Sequence, residues 1–319
     1  MGRVWAIAIN TFREAVRDKV LFGMLGFASF ALLVTLALAE LSLHQQRRVV
    51  LDIGLASISL FGVAMAIFLG SSLLYKEIER KTLYVILPKA IRRWEFLLGK
   101  YTGIVLTGAV FIAIMGAVQL WVASIQADPK EDGAMFLLRA LRVPGIGGAC
   151  LAAAIVWARR RGADPSGMVF GWSFAFLALS AALAEAMGVT TPPILAALAL
   201  SLTEVMVLAS VAMFFGSFST PFLTGAFTFG VWLVGRSADE MADMRSEAVA
   251  DSVKVALHAL ARVVPNFDLF VPGSSLLEGT SEAAVSMPAY VFNAVAYGVL
   301  YAALALALAA VIFRRRDLL

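Results

Sequence analysis

Charge is scarce in this sequence. Of its 319 residues only 15% are Asp, Glu, Lys or Arg, while 61% are hydrophobic and the mean hydropathy is +0.87. A soluble domain of this size carries about 25% charged residues, so an ordinary water-soluble fold is excluded. Cysteine is nearly absent. Cys150 stands alone inside an apolar run, which rules out a disulfide framework within the chain. The two histidines, His44 and His258, are far apart and no HExxH occurs, which argues against a catalytic zinc. The phosphate-binding loop GxxxxGK[ST] is also missing: the Gly99-Lys100 pair is followed by Tyr101. The cluster from Gly145 to Gly148 does not complete GxGxxG and follows no strand. No Ser-His-Asp or Cys-His spacing, internal repeat or low-complexity tract is present. The chain therefore reads as a non-enzyme without its own nucleotide site, and as binding neither metal nor cofactor.

What is present is a series of long apolar runs separated by short charged patches. A bilayer-spanning helix needs roughly 20 apolar residues. A β-barrel would instead show short alternating strands, and none is visible. Helices satisfy every backbone group in lipid, so the expected fold class is an all-α integral membrane protein. The spans fall at 20–40, 53–75, 97–124, 143–158, 168–188, 193–215, 220–235 and 289–313, about eight transmembrane helices. The fourth is short and opens on Pro144, Gly145, Gly147 and Gly148, so it reads equally as a re-entrant segment.

The N-terminus does not read as a cleavable signal, because Arg13, Glu14, Arg17, Asp18 and Lys19 precede the first apolar run. Residues 3–19 form an amphipathic pattern, with Trp5, Ile9, Phe12, Val16 and Val20 on one stripe. An interfacial helix is expected there, with Trp5 and Phe12 dipped into the headgroup boundary. Lys and Arg in short loops set orientation. Arg13, Arg17, Lys19, the basic residues of 76–100, Arg159 to Arg161 and Arg314 to Arg316 place both termini in the cytoplasm. Arg47 and Arg48 run against the rule. The domains expected are a surface helix at 1–19 and a transmembrane region at 20–235. A small helical cap outside the membrane at 236–288 follows, then the last span and basic tail at 289–319.

Residues 76–100 are the most distinctive stretch. They carry seven basic residues against Glu77, Glu79 and Glu95, a net of +4. A helix over 76–87 is stopped by Pro88, and a second begins at Ala90 and runs into the third span. This charged elbow suits docking to a soluble partner; read more plainly, it is a basic loop enforcing topology.

The elbow resembles the permease subunits of ABC transporters of the type-2, exporter-like class. Those permeases show E-x-E-x-x-T-L followed by a proline, an arginine and a Gly-Lys pair. Here these are Glu77, Glu79, Thr82 and Leu83, then Pro88, Arg92 with Arg93, Gly99 and Lys100. Further similarity lies in the N-terminal segment from Asn10 to Lys19, in the serine-rich turn FFGSFSTP at 214–221, in Pro265-Asn266, and in Arg315-Arg316-Asp317. The family core has six spans, so 126–190 looks like an addition. The resemblance implies that two permease chains, alike or different, pair in a bacterial inner membrane. Two copies of a separate ATPase, which hold the ATP and magnesium, would dock from the cytoplasm. The coupling residues would be Glu77, Glu79, Arg80, Thr82, Leu83, Pro88, Arg92, Arg93, Gly99 and Lys100.

One intramembrane charge stands out. Glu204 lies near the centre of its span, where a carboxylate is costly unless paired, protonated or hydrated. It reads either as a substrate-path or interface residue, or as a structural carboxylate bonded to a nearby Ser201 or Thr203. Glu40 and Glu185, at span ends, read as interfacial. Gly62, Ala66 and Gly70 form one small-residue stripe, and Gly99 and Gly103 another, both expected to pack helices within the chain. The function expected is a permease coupling ATP hydrolysis by a partner to export or mechanical work. Two alternatives are an ion-gradient-driven transporter using Glu204 and the glycine-broken span, and a scaffold whose 236–288 cap binds a periplasmic protein. Nucleic acid is not an expected partner, and the substrate is not legible.

Overall fold

The computed structural model describes residues 2–42, 45–79, 92–125, 166–242, 263–271 and 286–315, with isolated positions between 145 and 160 and at 259. Every regular element among them is helical. α1 (Gly2–Val16), α2 (Lys19–Glu40), α3 (Gln46–Glu79) and α4 (Arg93–Ile125) come first. α5 (Ser166–Ala186), α6 (Thr191–Gly216), α7 (Pro221–Arg236), the short α8 (Ala238–Ala242), a 3-10 turn (Asp268–Phe270) and α9 (Met287–Arg315) follow. Six described helices are long and apolar enough to cross a membrane: α2, α3, α4, α5, α6 and α9. Of the other expected spans, 220–235 forms α7, whose 16 residues make roughly 24 Å of helix against a hydrocarbon core of about 30 Å. Half of the expected 143–158 segment lies outside the described residues.

The turns follow local chemistry. Asp18 caps α2 by accepting the Val20 N–H at 3.0 Å. Proline occupies the first turn of both α6 and α7, where its missing N–H costs nothing. Gly188 takes a φ of +81° at the end of α5, and the Val189 N–H bonds back to the Ala184 carbonyl at 3.0 Å. That reversal needs a left-handed residue, which glycine supplies. The same turn explains the two arginines that oppose the charge rule. Arg47 donates to Thr190 Oγ1 at 3.0 Å, and Arg48 pairs with Asp52 at 3.5 Å. Both serve local packing at the rim shared by the α2–α3 and α5–α6 turns.

α6 is the hub, packed against α9, α3, α4 and α7. Small residues let it approach. A side chain at Gly70 would strike Ala212, and one at Gly62 would meet Val205 at 3.2 Å. The stripe on the second span thus seals α3 to α6 within the chain, as expected. α5 lies outside this core, mostly exposed, packed on α4. Its Trp172 donates to the Gly147 carbonyl at 3.1 Å, and Phe176 covers Gly147.

α1 departs from its expected pose. Trp5 is exposed, but Phe12 is buried edge-on against Phe170 of α5 at 6.2 Å. The buried face of α1 is Ala8, Thr11, Phe12 and Ala15, one step round from the apolar stripe. The reason lies in α4. A Cβ at Gly99 would come within 2.6 Å of Ile7 and 3.0 Å of the Val4 carbonyl, and one at Gly103 within 2.5 Å of Thr11. Those glycines draw the small residues of α1 into contact, and packing area outweighs the pull of the larger side chains toward lipid. Gly103→Val is therefore expected to lift α1 from α4, at about 1–3 kcal/mol for overpacking. Faster trypsin cleavage at Arg13 and Arg17 in detergent, with the rest of the bundle still protected, checks this.

Candidate functional site

Two constellations emerge, one in the membrane core and one at the rim where α4 begins. In the core, Glu204 is almost completely buried. Ser201 and Thr203, the neighbours considered from sequence, donate instead to the Ala197 and Ala199 carbonyls of their own helix at 3.0 and 2.9 Å. The partners of Glu204 come from elsewhere. Ser59 of α3 donates to Oε2 at 2.6 Å, and Trp232 Nε1 of α7 donates to Oε1 at 2.9 Å. Arg236, the last residue of α7, sets Nη1 3.6 Å from Oε1. Three helices thus converge on one carboxylate.

Helix geometry explains why they meet. Glu204 lies 12 residues before the end of α6, and Trp232 lies 11 after the start of α7, roughly 18 and 17 Å of helix at 1.5 Å per residue. The intervening turn is the FFGSFSTP stretch. The Ser217 and Ser219 N–H groups satisfy carbonyls of the last turn of α6, and Phe214, Phe215, Phe218 and Phe227 cluster around it. The reversal brings Trp232 level with Glu204, and α7 ends one turn later with its guanidinium beside the acid.

Beyond that end the chain returns. Phe267 N–H donates to the Gly235 carbonyl at 2.9 Å, and Phe267 and Phe270 are buried. Asn266 links the pieces: its N–H donates to Tyr297 Oη at 3.0 Å and its Nδ2 to Asp239 Oδ1 at 2.7 Å, while its own Oδ1 accepts the Asp268 N–H at 2.9 Å. Tyr290 and Tyr301 of α9 donate to the carbonyls of Leu269 and Val263 at 2.8 and 3.1 Å. Residues 263–271 therefore close over the end of α7, hung from one face of α9. Phe270 rests on Gly298, whose missing side chain also admits Thr203. The rest of the expected 236–288 cap, beyond α8 and this segment, lies outside the described residues.

At the opposite rim, the start of α4 carries one half of a capping box: the Arg92 N–H donates to Glu95 Oε2 at 3.0 Å. Arg92 itself is exposed. Arg93 donates to the Phe313 carbonyl of α9 at 3.0 Å, and Phe96 stacks on Phe313 at 6.4 Å. Lys100 is buried, with its ammonium 3.8 Å from Glu14 of α1 and 5.9 Å from the Phe96 ring centroid. Among the coupling residues named from sequence, Glu77 and Glu79 close α3, Arg92 and Arg93 open α4, and Gly99 and Lys100 face α1. Arg80, Thr82, Leu83 and Pro88 lie outside the described residues. Among the described residues no cluster of His, Cys, Asp or Glu could hold a metal.

Sequence reasoning reached Glu204 but not Ser59, Trp232 or Arg236. Nothing in a one-dimensional pattern links positions 59 and 204. Arg236 had a signal, a cation at the end of a short span, and was read as the start of the outer cap.

Six described helices long and apolar enough to cross a bilayer, packed around a charge-poor core, define a multi-pass α-helical membrane protein. Within that class the chain matches the family model described as ABC-2 family transporter protein over residues 5–318, and it belongs to that family. It is thus the membrane subunit of an ABC transporter, and the resemblance seen at 76–100 extends over nearly the whole chain. No curated protein matches it.

Proposed function

We propose that this chain couples ATP hydrolysis on a separate ABC ATPase to export or mechanical work, with 76–100 as the surface that receives the ATPase. The observation that carries this reading is the anchoring of the first turns of α4. They are capped by Glu95, clamped to the end of α9 through Arg93 and Phe96, and fastened to α1 through Gly99, Gly103 and Lys100. A load delivered to the segment just before Arg92 would move α1, α4 and α9 together instead of bending one helix. A permease paired with a second copy or a relative, in a bacterial inner membrane with both termini cytoplasmic, suits this arrangement. ATP and magnesium would be held by the ATPase.

An ion-gradient-driven carrier is less well supported. Such a carrier would free Glu204 for its ion, whereas both carboxylate oxygens accept protein donors and a guanidinium stands alongside.

The test separates docking from transmission. Arg92, exposed, offers its charge to a partner; Arg93 holds α9. In detergent extracts of cells that express this chain together with an ABC ATPase from a neighbouring gene of the same source, wild type should retain that ATPase. Arg92→Glu is expected to release it while thermal unfolding of the permease stays unchanged. Arg93→Gln is expected to keep the ATPase bound but lower the unfolding midpoint and reduce coupled ATPase activity. If no ATPase is retained by wild type, or Arg92→Glu retains it fully, the coupling assignment fails.

A further inference from the structure

The segment that closes over α7 hangs from α9 at three heights. Tyr290, Tyr297 and Tyr301 are spaced by seven and four residues, which puts them on one face of the helix. The Tyr301 and Tyr290 hydroxyls donate to the Val263 and Leu269 carbonyls, and Tyr297 Oη accepts the Asn266 N–H. Residues 263–269 therefore climb beside α9 with Val263 at the deep end.

The depth can be read from three helices. On α9, roughly 20 residues counted back from Phe313 put the far edge of the hydrocarbon near Ala294. Tyr301 lies seven residues inside that edge, roughly 10 Å at 1.5 Å per residue. On α6, Thr203 is midway along the helix and meets Gly298, on which Phe270 rests. On α7, the end at Arg236 falls roughly 6 Å short of a 30 Å core. Tyrosine side chains lean toward the start of their helix, which raises Val263 by a few ångström and leaves it inside the hydrocarbon on every count.

Irregular backbone at that depth has two allowed surroundings, protein or a water-filled cavity, because lipid tails offer no hydrogen bonds. Val263 is 74% exposed, and the bond from Tyr301 to its carbonyl is exposed too. The described residues therefore do not bury it. Its neighbours at the end of α7 are polar. Ser237 is exposed, Arg236 is partly exposed, and so is the hydrogen bond from Asn266 to Asp239. A second protein seated there would have to bury a carboxylate and a guanidinium and bring matched charges for both. Water satisfies them as they stand.

We infer that a water-filled cleft enters the membrane from the side opposite the start of α4, between the end of α7 and the tyrosine face of α9. Val263 stands in its wall. Arg236 forms its floor and shuts the buried Glu204 away from it. The cleft admits small hydrophilic solutes and excludes lipid tails. The inference stands apart from ATP coupling, because it uses only the depth and surroundings of residues 263–269.

Val263 and Leu300 provide the test. They are 74% and 72% exposed, and Leu300 directly precedes the tyrosine that holds Val263. Exposure alone would make them react alike, whereas the cleft puts water over one and lipid over the other. Cys150, the one cysteine of the chain, is first replaced by serine. Full-length Val263→Cys and Leu300→Cys chains are then placed in sealed phosphatidylcholine vesicles and treated with a small charged methanethiosulfonate that does not cross bilayers. A thiol in apolar surroundings does not ionise, so Val263→Cys is expected to react about tenfold or more faster than Leu300→Cys. Ser237→Cys should react as Val263→Cys does, and decides the matter if Val263→Cys does not fold. Sidedness is read by intact mass from an Arg92→Cys, Val263→Cys chain. Each molecule should gain one label in sealed vesicles, whichever way it is inserted, and two once the vesicles are opened. Equal rates at 263 and 300 overturn the cleft. So does a Val263→Cys that reacts only after unfolding in dodecyl sulfate, which would mark lipid or a second protein over that face. Molecules carrying two labels or none in sealed vesicles would place the opening on the same side as α4 begins, and overturn it as well.

Discussion

Glu204→Ala is expected to destabilise the protein by about 3–5 kcal/mol, the range for removing one partner of a buried ion pair. The change strips Ser59 and Trp232 of their acceptor and leaves the Arg236 guanidinium facing a cavity. The loss is larger than for deleting a surface carboxylate because little water reaches the site to replace the bonds. Glu204→Gln keeps an acceptor oxygen for Trp232, and the Ser59 hydroxyl can turn to accept from the new amide N–H, so most of its cost comes from the unbalanced Arg236. Adding Arg236→Gln to Glu204→Gln should therefore recover part of the loss, and a double-mutant cycle isolates the pair. Thermal unfolding of the detergent-solubilised protein measures these three variants and the Arg236→Gln single that completes the cycle. If Glu204→Ala unfolds within about 0.5 kcal/mol of wild type, as a neutral surface change does, the buried carboxylate is not holding α3, α6 and α7 together.

The second large effect is expected at Gly235. A Cβ there would collide with the Pro265 carbonyl and come within 2.6 Å of the Phe267 ring. The first obstacle is backbone, which cannot rotate aside, so Gly235→Ala should push residues 263–271 off the end of α7 and break the Phe267 to Gly235 hydrogen bond. A cost of about 1–3 kcal/mol is expected for forced overpacking. Gly230, on the same helix, provides the control. A Cβ there meets nothing within 4 Å, so Gly230→Ala should be neutral or stabilising by up to about 1 kcal/mol, from helix propensity alone. Hydrogen exchange gives the local readout. Amides of 267–271 should exchange faster in Gly235→Ala and as in wild type in Gly230→Ala. Equal protection in both variants would show that the returning segment does not depend on the close approach at Gly235.

The two sites are mechanically related. Arg236 follows Gly235 directly, so displacing the returning segment disturbs the guanidinium that faces Glu204. The tyrosines that hang this segment from α9 lie on the helix whose far end is clamped by Arg93 and Phe96. α9 thus touches both rims: the one where an ATPase would push and the one where 263–271 closes over α7. Coupled motion along a single packed helix is a physical route between them that needs no long chain of side chains.

Helix existence was legible from the sequence. The expected spans at 20–40, 193–215 and 289–313 agree within two residues at each end with α2, α6 and α9, and 220–235 agrees with α7. Two were underestimated. α3 begins at Gln46 and ends at Glu79, and α4 begins at Arg93, because their polar ends continue as helix beyond the apolar run and hydropathy does not register them. The segment 76–100 stands out in the sequence as one unit, but its described residues have unlike surroundings. Gly99 and Lys100 sit beside Arg92 in the motif, yet they pack against α1 while Arg92 faces outward.

What the sequence determined by itself was the solvent of this protein and, with it, the fold class. In hydrocarbon a backbone must bond to itself, so each long apolar run has one outcome and can be read locally. What only the tertiary structure decided was the use of the polar exceptions. Glu204 was visible as a charge in the wrong solvent, but its acceptor sites are filled by Ser59, 145 residues away, and by Trp232, 28 residues away. Phe12 pointed toward lipid by its pattern and is buried because two glycines on α4 drew α1 inward. Burial in lipid is a property of one segment, whereas hydrogen-bond partners and close approach are properties of two segments together, and a single chain read in order holds only the first.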